Sequence, residues 1–175
     1  QLVELDCDIA LPRLRSLSCH HNQIKYVSNS KLLETTRTCL ETLDLSFNQL
    51  NDEQLNFSDY NKLKTLKLSV NRLPAVPTIP LSLLSLDFTT NRSSNIQNLL
   101  PNDETLAENA LSLMELMLQD NHLKELNADV IERCKNLKRL DLSSNMLKTL
   151  PYQLGLLPNI ETLRLKGNIL YTFKR

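Results

Sequence analysis

The sequence predicts a right-handed α/β solenoid: seven short parallel strands on a concave face, with short helical, 3-10 and extended segments on the convex side. Three observations predict it. The stretch NLKRLDLSSNMLKTLPYQLGLLPNIETLRLKGNIL, residues 136–170, states one pattern twice, 23 residues apart. Leu137, Leu140, Leu142, Asn145 and Leu147 are answered by Ile160, Leu163, Leu165, Asn168 and Leu170. In each LxLxxN segment the two leucines lie two apart and so share one face, the mark of a strand buried on one side. An asparagine at a fixed offset after each strand is a turn residue whose amide can satisfy backbone groups that the bend leaves open. A single coil cannot bury its own leucines, so repetition at this period implies stacked coils.

Counted from the asparagines, the template fits at Asn22, Asn48, Asn71, Asn91, Asn121, Asn145 and Asn168, at intervals of 26, 23, 20, 30, 24 and 23 residues. Strands are predicted near 16–20, 42–46, 65–69, 85–89, 115–119, 139–143 and 162–166. The whole chain reads as one domain, with residues 1–12 as the back half of a truncated coil and an insertion at 92–112. Leu170 and Phe173 open another back half, so a fragment of a longer solenoid is expected.

The back halves differ in composition. Pro74, Pro77 and Pro80 suit an extended back and forbid a helix. NADVIERC, residues 127–134, offers an asparagine cap and an early acidic residue for one or two helical turns. A short helical or 3-10 turn is expected between Pro151 and Pro158. The insertion is expected to hold a helix or bulging loop capped by Asn102 or Asp103, with Leu106 and Ala110 facing inward. In the fourth unit Phe88 replaces a leucine and Ser93 an apolar residue, which predicts looser packing there.

The units LETLDLSFNQL, LKTLKLSVNRL, LMELMLQDNHL, LKRLDLSSNML and IETLRLKGNIL resemble leucine-rich repeats over nearly the whole chain. The final stretch LPYQLGLLPNIETLRLKGNILYTFKR is similar to the last repeats of the leucine-rich-repeat-containing protein 40 group and like cytoplasmic proteins. In those relatives a closing helical segment follows, whereas here the sequence stops at Arg175. The resemblance implies an intracellular horseshoe.

Composition bounds the function. Twenty basic and 20 acidic side chains balance, which argues against a general nucleic-acid or membrane-surface binder. No apolar run is long enough for a membrane span. Only two glycines occur, Gly155 and Gly167, so a glycine-rich phosphate loop cannot be built. Cys7, Cys19, Cys39 and Cys134 are dispersed rather than paired at the ends, which favours a reducing, cytoplasmic setting.

No chemistry is signalled. Cys19, His20 and His21 invite a metal reading, but alternation turns Cys19 inward and His20 outward, so no metal site is expected. Ser18 and Ser46 share a face with His20 without a catalytic signature, and an open sheet excludes water poorly. No cofactor and no catalytic residue are implied. The triplets at Asn56 and Asn91 match a glycosylation pattern, but Asn91 belongs to the asparagine series and its amide is expected to be buried.

A rigid curved sheet offers a large surface at little ordering cost, which suits recognition of a protein or peptide on the concave face. The recurring Asp and Ser or Thr pairs, as at Asp44 and Ser46, are habitual in this repeat. The informative outward positions are His20, Lys67, Met117, Gln119, Arg139, Arg164 and Lys166. Arg139, Arg164 and Lys166 come from adjacent coils and form an expected basic corner for a carboxylate-rich or phosphorylated segment. Met117 beside Gln119 is an adaptable apolar spot. The alternatives are a receptor or adhesion ectodomain, and a targeting domain of a larger signalling enzyme. End-to-end self-association through uncapped ends is a further expectation.

Overall fold

The structure is a computed structural model that describes residues 2–5, 9–27, 30–53, 55–100 and 111–171. Gln1, Cys7, Phe173 and the inward and capping positions read from the sequence at Asn102, Asp103, Leu106 and Ala110 lie outside the described residues.

Strands β1 (Ser16–Ser18), β2 (Thr42–Asp44), β3 (Thr65–Lys67), β4 (Ser85–Asp87), β5 (Glu115–Met117), β6 (Arg139–Asp141) and β7 (Thr162–Arg164) form one seven-stranded sheet in chain order. Every neighbouring pair is parallel, and the register aligns equivalent positions: Leu43 faces Leu66, Leu66 faces Leu86 and Leu86 faces Leu116. The strands are shorter than the five-residue segments read from the sequence. Main-chain bonds nevertheless continue past them, from Cys19 N to Asp44 O at 2.8 Å and from His21 N to Ser46 O at 3.1 Å.

The turn that ends each strand has a cause. His21, Phe47, Val70, Thr90, Asp120 and Ser144, each just before a repeat asparagine, have φ of 54–55°, and Gly167 has φ of 77°. Left-handed backbone swings the chain out of the sheet and aims the next side chain back into the coil. That side chain is the asparagine. Asn48 Nδ2 donates to Cys19 O in the preceding coil at 3.0 Å and to Leu45 O in its own at 3.0 Å, while its Oδ1 accepts from Ile24 N at 3.0 Å. The same three contacts recur at Asn71, Asn91, Asn121, Asn145 and Asn168.

Inside the coils lies one continuous apolar cluster. Leu43, Leu66, Leu86 and Leu116 from the strands, and Leu50, Leu73, Leu123 and Leu147 from the segments after the asparagines, are fully buried. Each contributes about 1.5–3 kcal/mol by leaving water. Looser packing around the fourth unit is not what the structure shows. Phe88 is fully buried, and Ser93 is too, its hydroxyl donating to Asn95 O at 2.6 Å. At the outer strand β7, Leu163 is 41% exposed.

The convex side follows the local sequence. Helix α1 (Lys31–Thr36) starts at Ser30, whose Oγ accepts from Leu33 N at 3.3 Å and donates to Leu5 O at 2.6 Å; the sequence reading did not include this helix. Helix α2 (Ala128–Arg133) starts at Asn127, which accepts from Asp129 N at 2.9 Å and Val130 N at 3.2 Å. Asp129 in its first turn and Arg133 in its last suit the helix dipole. Tyr152–Leu156 is a 3-10 turn. The proline-rich back is extended and joins its neighbour where Phe57 N donates to Thr78 O at 2.9 Å. Within the insertion, Gln97–Leu99 forms a 3-10 turn. Among the described residues, no helix is long and apolar enough to cross a membrane.

Candidate functional site: the concave sheet face

Because strand residues alternate, the side chains flanking each buried leucine project onto the concave face. Register then decides which of them meet. Lys67 lies beside Asp44, Arg139 beside Glu115 and Arg164 beside Asp141. All three are ion pairs, with Nζ of Lys67 3.7 Å from Asp44, Nη1 of Arg139 3.0 Å from Glu115 and Nη1 of Arg164 3.3 Å from Asp141. The basic corner read from the sequence is therefore largely neutralised. Arg139 and Arg164 line one hollow, each with its carboxylate, and Lys166 is exposed two residues beyond Arg164 without lining it.

The repeated Asp and Ser or Thr pairs have a structural task. Oδ1 of Asp44, Asp87 and Asp141 accepts from the backbone N of Ser46, Thr89 and Ser143 at 3.0, 3.1 and 3.0 Å. The Ser46 hydroxyl also donates to Asp44. Burial pushes the Asp141 carboxyl up, but the Ser143 hydrogen bonds and the Arg164 guanidinium together outweigh it and hold it below its ordinary 3.8. At Asp44 the same opposition is decided by Ser46, Lys67 and His20, again downward.

A hollow of about 340 Å³ opens on this face, lined by Met117, Arg139, Leu140, Asp141, Thr162 and Arg164. It brings together three of the residues singled out from the sequence. A second hollow of about 340 Å³ adjoins it along the strand entrances, where Met114, Glu115, Lys138 and Glu161 join Arg139. Met117 gives the first a polarizable apolar wall. Each guanidinium has five N–H donors in a fixed fork, and the ion pair occupies only part of it. The remaining donors can meet a carbonyl or carboxylate of a visiting chain.

The other predicted positions lie elsewhere on the face. Gln119 is exposed two residues beyond Met117. Lys67 is on β3, two strands away from Met117. His20 is at the far edge, its Nδ1 2.6 Å from Ser18 Oγ. His21 instead stacks on Phe47, ring centroids 4.1 Å apart. Cys19 is buried, so it does not converge with the histidines. Among the described residues, no group of three or more potential ligands could hold a metal ion. Sequence reasoning put Glu115, Thr162 and Asp141 on the outward rows but did not single them out, because their pairing with Arg139 and Arg164 emerges from register between coils rather than from any one coil.

A third hollow, about 240 Å³, sits between the back halves that follow β1 and β2, with Leu33, Arg37, Phe57, Asp59 and Tyr60 in its walls. Tyr60 donates its hydroxyl to Leu33 O at 3.1 Å, and Arg37 lies 3.8 Å from Asp59.

Known proteins share this pattern. Residues 112–170 and residues 39–59 match family models described as leucine rich repeat. The chain is 33% identical over 143 residues to the probable serine/threonine-protein kinase pats1 of Dictyostelium discoideum, covering 78% of this chain and 4% of that protein. It is 31% identical over 166 residues to podocan of Mus musculus, covering 89% and 25%. Toll-like receptor 2 of Ovis aries is 26% identical over 170 residues, covering 97% and 17%. The chain thus spans a quarter or less of these curated relatives. Among solved structures, a leucine-rich repeat protein of Leptospira interrogans superposes with a TM-score of 0.67 at 24% identity, covering 90% of this chain and 44% of the other. Pollen receptor kinase 3 superposes with a TM-score of 0.67 at 24% identity, covering 92% and 77%. In its in-register parallel sheet, its asparagine ladder and its shared repeats, the chain is a leucine-rich repeat solenoid.

Proposed function

We propose that the chain is a non-catalytic protein-interaction module that takes a protein or peptide segment on its concave face, centred on the Met117, Arg139 and Arg164 hollow. The observation that carries this reading is the hollow itself: an apolar wall beside two guanidiniums held in place by Glu115 and Asp141. A segment with a polar or acidic side chain flanked by an apolar one matches it. Pre-paired arginines lose little side-chain freedom on binding, which favours affinity.

A photo-crosslinking residue at position 117 is expected to form adducts with the partner in extracts of the native cell, and the same residue at exposed Glu132 on α2 is not. Arg164→Glu is expected to abolish the adduct. Equal labelling from both positions counts against the concave reading.

The module is proposed to act inside the cell, like the protein 40 group it resembles. Support comes from the free thiols of Cys39 and Cys134, which suit a reducing compartment. The similarity to podocan and Toll-like receptor 2 favours a second reading, a receptor or adhesion ectodomain, and the similarity to pats1 favours a targeting segment of a larger signalling enzyme. Tagged full-length protein followed by fractionation separates the cytosolic reading from the ectodomain reading. Exposed Leu163 on the outer strand supports end-to-end pairing of copies, which light scattering tests: mass rising with concentration supports it, and a constant monomer mass contradicts it.

A further inference from the structure

Among the described residues, cations on the concave face are mostly in ion pairs, whereas Arg72, Arg92, Lys124 and Lys148 on the flank that follows the asparagines are not. Here the coils are joined by their own hydrogen-bond ladder. Arg72 N donates to Leu50 O at 2.9 Å, Arg92 N to Leu73 O at 3.0 Å, His122 N to Ser93 O at 2.9 Å and Lys124 N to Ser94 O at 3.4 Å. The ladder fixes Arg72, Arg92 and His122 in one row, each directly after its asparagine. Lys124 and Lys148 stand in a parallel row two residues farther along.

All five are exposed. None of the four full charges is in an ion pair with any described residue, although Lys67, Arg139 and Arg164 across the sheet all are. Coils lie about 4.8 Å apart, so the run from Arg72 to Lys148 spans about 15 Å. Two carboxylates, Asp120 and Glu125, share this flank and are exposed.

We propose that this flank is a second docking surface, distinct from the concave hollow, for an extended, carboxylate-rich protein segment. Charge complementarity argues for the occupant. Alternate side chains of an extended segment are about 6.8 Å apart, so roughly three acidic residues at alternate positions match the row. Beyond its cationic end Met146 is 46% exposed, a place for an apolar side chain following the acids. Asp120 and Glu125 interrupt the positive field of the flank, which disfavours a continuous phosphate backbone and favours a protein segment with separated carboxylates.

The test uses fluorescence anisotropy with a labelled peptide bearing three glutamates at alternate positions in a serine background, the same peptide with serine throughout, and a labelled oligothymidylate. Binding of the glutamate peptide alone, weakened by salt, is expected. Arg72→Glu with Arg92→Glu is expected to weaken it by about tenfold or more, while Arg164→Glu with Lys166→Glu on the concave face changes it by less than about twofold. Circular dichroism checks the fold, and the neutral pair Arg72→Gln with Arg92→Gln replaces any variant that unfolds. Equal affinity for the serine peptide, no loss in the flank variants, or oligothymidylate bound at least as tightly overturns the proposal. Dependence on Arg164 and Lys166 alone returns the binding to the concave face.

Discussion

Asn145 donates its side-chain amide to the main-chain oxygen of Leu118, one coil back, at 2.9 Å. The same amide closes its own turn on Leu142 O at 3.1 Å, and its Oδ1 receives Leu123 N at 3.0 Å. One buried side chain thus serves two coils. Asn145→Ala strands these groups and is expected to lower unfolding free energy by about 1–3 kcal/mol, read from urea denaturation. Asn145→Asp is expected to be worse, because a carboxylate cannot donate to Leu118.

Acid unfolding tests the aspartates. A carboxyl whose folded value lies below its unfolded one adds stability above the unfolded value, and that stability is lost as pH falls through the folded value. Asp141 and Asp44 are of this kind. Asp141→Asn is expected to cost roughly 1 kcal/mol at neutral pH and to make the loss of stability below the ordinary carboxylate range shallower than in the natural protein. An unchanged acid limb contradicts the assignment.

The left-handed non-glycine residue before each of the first six asparagines is a reservoir of strain. Val70, with φ of 55°, is a branched side chain in that region. Val70→Asn is expected to raise stability by about 0.5–1 kcal/mol, since asparagine tolerates the conformation better. Gly167→Ala is expected to lower it, because the added carbon meets Ser144 N at 3.2 Å. Thermal melting of both variants reads the signs.

Cys134 is buried, and burial pushes its thiol up to about 12. A thiolate is the reactive form, so Cys134 is expected to resist alkylation in the native protein at mildly alkaline pH and to react fully in denaturant, as peptide mass mapping shows. Rapid native alkylation counts against the packed position.

The fold was legible because its determinants are periodic. Leu140, Leu142 and Asn145 sit at the offsets of Leu163, Leu165 and Asn168, and each offset has one structural meaning. The α2 cap at Asn127 was legible for the same reason, being local. Helix α1 was missed because its apolar face, Leu32 and Leu33, is only two residues wide. The left-handed turns were hidden behind Val70, Thr90 and Phe47, side chains that disfavour that conformation; Gly167 was the one residue that advertised it. On the concave face, outward positions could be enumerated, but the pairing of Arg139 with Glu115 and of Arg164 with Asp141 depends on which side chains stand side by side in neighbouring coils. The same dependence left Arg72 and Arg92 on the flank without an ion-pair partner among the described residues.

Native-state hydrogen exchange tests the ladder that holds both surfaces in place. Leu50, Leu73 and Leu123 donate their amides to Oδ1 of Asn71, Asn91 and Asn145 in the next coil. These three amides are expected to exchange as slowly as the central strand amides, and Asn71→Ala is expected to accelerate Leu50 far more than Leu123. Exchange of all three at the rate of exposed loops contradicts the stacking on which the concave hollow and the flank depend.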